Sequence, residues 1–174
     1  MKIPTVTVLQ FLKFLAYLAM IGYSIEAGSV IVSAIVSFYN PQAVKNLYNG
    51  LDFSHIKEYN ILFYYMAIVF VSTIAIMKAL VWYLAIKMLS AFNISNPFKP
   101  ETGKLLLKIS SALLLIWMIG LAGGIMTSVL VNAGVNFGYN FKADEFLFMA
   151  GLMYVIAQVF KRGLEIQTEN ELTV

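Results

Sequence analysis

Two ionisable residues stand deep inside long apolar runs, and they are the residues to ask about chemistry. Glu26 interrupts the stretch from Leu9 to Phe38, and Lys78 lies well inside the run from about Asn60 to Leu89. An ionised side chain at the centre of a membrane helix costs about 2.5 to 3.5 kcal/mol on the insertion scale, so each needs a partner or a wet cavity. The two are candidates for each other. One reading is structural, an ion pair or a lysine snorkelling to the interface; the other is a proton- or ligand-sensing pair inside a helix bundle. Their depths match imperfectly, because Glu26 lies twelve residues before Phe38 and Lys78 seventeen after Ile61, roughly 18 and 26 Å at 1.5 Å per residue. Helix tilt and the flexible lysine stem are needed to close that gap.

Other chemistry is sparse. The chain has no Cys and one His, His55, which removes thiolate zinc sites, iron–sulfur clusters, bis-histidine haem and disulfides. His55, beside Asp52, Lys57 and Glu58, reads as a solvated imidazole. Asp144 and Glu145 fit the first turn of a helix, where the dipole favours acids. Thr102-Gly103-Lys104 resembles the end of a phosphate loop, but the earlier Gly and the following Ser or Thr are missing. The sequence therefore offers no catalytic, cofactor-binding or metal-binding set, and no enzyme activity is expected.

The elements that must hold these residues are membrane helices. Of 174 residues 60% are hydrophobic and 12% charged, with a mean hydropathy of +0.80, and a soluble domain carries about twice that share of charge. The net charge of +3 comes from basic residues at the ends of apolar runs, where they set topology, so direct nucleic-acid binding is not expected. The pattern predicts an all-α polytopic membrane protein, one domain over residues 1–174. It is a four-transmembrane-helix bundle with helices at about 7–38, 60–89, 105–131 and 143–160, a polar tail at 161–174, and a short interfacial helix in the first outer loop. The first helix, interrupted by Lys13 and lacking a small-x-small cleavage site, is expected to be retained. Asn40-Pro41, Asn49-Gly50 and Pro97 with Pro100 mark stops and starts.

Within the first helix, Gly22, Glu26, Ser29, Ser33 and Ser37 form a stripe of roughly 80° that should face protein. Gly120 and Gly124 in the third stand at the GxxxG spacing that permits close backbone approach. Aromatics gather near both membrane faces as interfacial belts. Both termini and the Ser90–Lys104 loop share one side with Lys2, Lys13, Lys87, Lys99, Lys104, Lys108, Lys161 and Arg162, against Lys45, Lys57 and Lys142 on the other. The positive-inside rule then places both termini in the cytoplasm.

The final residues carry a resemblance. Lys161, Arg162, Gly163, Glu165 and the closing Glu169, Leu172, Thr173 and Val174 resemble the basic pair, Gly, acid and terminal Glu-x-x-Leu-Thr-Val run of the bacterial DUF2975 family of small membrane proteins. Asn96, Pro97 and Phe98 resemble that family's Asn-Pro-Phe motif before the third helix; Lys99 departs from its usual small hydroxyl residue and weakens a helix cap there. The resemblance implies four spans in a bacterial inner membrane and supplies no catalytic residues. Because members are often encoded beside a small helix-turn-helix regulator, it also implies, by association, a cytoplasmic protein partner. Two roles stay open: a regulator engaging that partner through the Asn96–Lys104 loop and the tail, or a small transporter or channel subunit using Glu26 and Lys78 in a homo-oligomeric bundle.

Overall fold

The computed structural model describes residues 5–46, 50–92 and 98–172. Four long helices, α1 (Thr5–Tyr39), α3 (Ile61–Ala91), α4 (Pro100–Asn132) and α5 (Asp144–Leu172), are each long and apolar enough to cross a membrane. Among the described residues the first loop contains two short pieces where one was expected, a 3-10 turn at Pro41–Asn46 and a helix α2 at Ser54–Tyr59.

Local chemistry sets the ends. Asn60 caps α3 by accepting the Leu62 amide at 2.8 Å. Pro100 opens α4 at a position whose amide needs no partner, with Glu101 in the first turn. At the far end of α4, Gly134 takes φ +78° and the Val135 amide reaches back to the Leu130 carbonyl at 2.9 Å. That is the Schellman arrangement, which glycine adopts without strain. Asp52, just before α2, accepts both the amide and the hydroxyl of Ser54, and these bonds hold its carboxyl below the usual carboxylate range.

The helices pack in chain order, α1 on α3, α3 on α4 and α4 on α5. We call the end where α1 begins and α5 finishes the terminal end, and the other the loop end. At the loop end Ser37 of α1 and Tyr64 of α3 meet at 2.6 Å, both buried. The Ser37 hydroxyl gives its proton to the Ala34 carbonyl, so Tyr64 is the donor between them. Lys57 closes the corner, donating to the Ser37 carbonyl at 3.1 Å and lying over the Tyr64 ring. The buried face of α1, Ala27, Val30, Ala34 and Ser37, sits roughly 80° to one side of the Gly22–Ser37 stripe at 100° per residue. The stripe borders the core, with Ser37 buried, Glu26, Ser29 and Ser33 half-buried and Gly22 exposed.

After α4 the chain turns back. Residues 133–143 descend along α4, seating Phe141 over Gly123 and Ala143 over Gly120, where an added Cβ would lie 2.5 and 2.6 Å from those side chains. Phe141 also joins Phe70, Phe137 and Tyr139 in an aromatic cluster, and Phe137 touches Phe53. The close approach thus uses Gly120 and Gly123, while Gly124 has open space around it. It serves the returning segment and not a helix crossing. In consequence α5 begins beside Gly120, twelve residues and about 18 Å below the end of α4.

Gly123→Ala is expected to destabilise the protein by about 1 to 3 kcal/mol by forcing Phe141 off the helix. Gly124→Ala is expected to be neutral or to add up to about 1 kcal/mol of helix propensity. Thermal unfolding of both variants in one detergent checks this, and equal effects would refute it.

Candidate functional site

Ser37 touches Tyr64, so depths along α1 and α3 can be counted from that contact. Glu26 lies eleven residues below Ser37 and Lys78 fourteen below Tyr64, about 16 and 21 Å at the Cα atoms. Side chains lean toward the N-terminus of their helix, which for Lys78 is back toward the loop end, so its stem removes most of the difference.

At similar depth, Glu26 and Lys78 nevertheless form no ion pair. The Lys78 ammonium lies 5.3 Å from the centroid of Tyr23 on α1 and 5.5 Å from that of Phe146 on α5. Two ring faces stabilise a cation by about 0.5 to 2 kcal/mol each, enough to offset much of the burial cost of about 2.5 to 3.5 kcal/mol. The two rings hold the ammonium between α1 and α5.

Lys78 forms one wall of a cavity of about 290 Å³ bounded by all four long helices, with Tyr23, Trp82, Leu113, Ile116, Glu145, Phe146 and Met149 around it. Glu145 is there because the returning segment starts α5 low. The sequence reading gave it to the helix dipole at the outer face, and only the return along α4 shows its second role. Tyr23 had a weak signal, standing three residues before Glu26 on the same side of one helix. A larger open groove, about 440 Å³, runs along the junction of α4 and the returning segment and is bordered by Thr127, Ser128, Asn140, Lys142 and Asp144. Among the described residues, no group of three or more His, Asp or Glu is placed to hold a metal ion.

The described motif residues gather at the terminal end. Expected to stop at 160 and yield to a tail, the last helix instead runs on to Leu172, because Lys161–Leu172 contains no Pro and is rich in helix formers. Gly163 would be the weak point, yet it is where Phe98 sits: a Cβ at Gly163 would come 2.5 Å from the Phe98 ring. The same ring meets Phe160 edge-on at 5.4 Å. Arg162 and Glu165 form an exposed pair at 2.9 Å, one helical turn apart, and Lys161 and Glu169 are exposed on the same segment. Leu172 ends α5; Asn96, Pro97, Thr173 and Val174 lie outside the described residues.

A family model described as a protein of unknown function, DUF2975, matches residues 47–174. The match takes in Lys78, Phe98, Glu145 and Gly163, and leaves out α1 with Tyr23 and Glu26. No curated protein and no solved structure matches the chain.

Gly163→Ala is expected to lower stability by about 1 to 3 kcal/mol through its clash with Phe98. Adding Phe98→Ala should then recover part of the loss, giving a coupling of about 0.5 kcal/mol or more in a double-mutant cycle of unfolding. Strict additivity would show that the two residues do not bear on each other.

Proposed function

Because the chain belongs to the DUF2975 family, whose function is unknown, we propose its role from its own geometry: a non-enzymatic regulatory membrane protein that engages a cytoplasmic protein through its terminal end. The observation carrying this reading is the seat of Phe98 on Gly163. It fastens the segment leading into α4 to the part of α5 that continues beyond the apolar span. The joined surface exposes Glu101, Lys104, Lys161, Arg162 and Glu165, charges of both signs that suit a protein partner and its orientation more than an anionic surface.

The excess of Lys and Arg at this end supports a cytoplasmic placement of both termini, in a bacterial inner membrane. The partner we propose is a small helix-turn-helix DNA-binding protein, retained at the membrane or released from it. The test is co-purification from native membranes in mild detergent, comparing the wild type with a variant lacking Gly163 to Val174. Recovery of the DNA-binding protein should fall at least tenfold in the deletion. Equal recovery removes the α5 extension from the mechanism.

A second reading has its own observation, the Lys78 cavity between the four helices. In this reading the protein is a small transporter or channel subunit working as a homo-oligomer, with Glu26 and Lys78 on the path. Solute flux in proteoliposomes should then drop severalfold in Glu26→Gln, and unchanged flux would count heavily against it.

A further inference from the structure

We propose that the cavity between α1, α3, α4 and α5 binds a small zwitterion with an apolar body, its anionic group on the Lys78 ammonium and its cationic group on the Glu145 carboxylate. The inference is independent of the regulatory reading and goes beyond the transporter reading by naming a ligand chemistry and a residue, Glu145, that the latter does not use.

Lys78 is a cation with three donors whose described neighbours are the faces of Tyr23 and Phe146; it makes no hydrogen bond or ion pair. Ring faces hold a cation in place but accept no conventional N–H hydrogen bond, so the ammonium retains the capacity to bind an anion. Glu145 stands exposed at the open rim of the same cavity, and it too makes no ion pair. Opposite charges that share a cavity without closing on each other leave room for a molecule bearing both signs. A plain anion would meet the charge of Glu145 and a plain cation that of Lys78, and such like-charge contacts select against each.

The remaining walls fix the body of the ligand. Val81, Leu113, Ile116 and Met149 are apolar, and Trp82 adds an indole. A volume of about 290 Å³ is near the lower end of small-molecule pockets, about 300 to 1,000 Å³. A free α-amino acid with a branched or aromatic side chain fits within it and has this charge pattern. The ethanolamine-phosphate head group of a phospholipid carries the same two charges, so the chemistry has two sources.

The experiment uses the full chain in phosphatidylglycerol nanodiscs. The chain has two Trp, so Trp117→Phe leaves Trp82, on the cavity wall, as the reporter. Leucine should give a saturable change in Trp82 emission. Its carboxylate-only analogue 4-methylpentanoate and its amine-only analogue 3-methylbutylamine should each bind at least tenfold more weakly. Lys78→Gln and Glu145→Gln should each weaken leucine at least tenfold, while Lys78→Arg stays within about threefold and elutes like the parent, which separates lost binding from lost folding.

Titrating phosphatidylethanolamine into the discs distinguishes the sources. A Lys78- and Glu145-dependent emission change that leucine cannot displace, or that displaces leucine, assigns the site to the lipid head group. Leucine binding indifferent to phosphatidylethanolamine assigns it to a free solute. The proposal is overturned if neither probe gives a saturable change, if 4-methylpentanoate matches leucine, or if Glu145→Gln leaves binding intact.

Discussion

A phenyl ring resting on a glycine sets the height of the last helix. Phe141 occupies the space that a side chain at Gly123 would fill, and Ala143 does the same at Gly120. Between them they hold the returning segment against α4, so that α5 starts about 18 Å below the place where α4 ends. Two other features depend on this offset. It sets Glu145 and Phe146 beside the cavity that Lys78 enters, and it aligns Gly163 with Phe98 at the opposite end. Interiors packed at crystal-like density transmit such a constraint, because a ring cannot shift without displacing its neighbours.

The charges divide by environment. Arg162 and Glu165 pair on an exposed helix surface, where solvent screens an ion pair and it contributes little. Lys78 lies in an apolar setting and is held by rings. The pair with the good geometry therefore has the smaller energetic consequence, and the cation without an acid has the larger. Ring contacts stabilise the ammonium without neutralising it, and its field stays available inside the bundle.

Most of the architecture was legible in the sequence, since apolar length fixes span number and Asn, Pro and Gly fix where spans stop. Pro100 acts where its chemistry predicts, and the DUF2975 resemblance of the C-terminal motifs agrees with the matched region. The assignment of the glycines and of Glu145 was not legible. Gly120-x-x-x-Gly124 is a spacing that several kinds of close approach satisfy, and which glycine is used depends on where a distant ring lands. Glu145 looks like any acid in a first helical turn until the path of residues 133–143 is known. The Glu26–Lys78 partnership was not settled by depth for a related reason: depth along two helices can be counted from sequence, but which rings face an ammonium cannot, and here one, Tyr23, is on the helix of Glu26 itself while the other, Phe146, comes from α5. The helical continuation past Lys161 was hidden by its polarity, which marks the end of an apolar span and not the end of a helix.

One feature of α5 has a mechanical side. From Glu145, on the cavity, to Leu172 the backbone is a single helix with no proline, twenty-eight residues or about 40 Å long. Gly163 on that helix is held by the Phe98 ring seated against it. One continuous helix fixed at such a point keeps a set angle between the face that carries Glu145 and the faces that carry Lys161, Arg162 and Glu165, so the lining of the cavity and the orientation of the exposed charges are set by the same element.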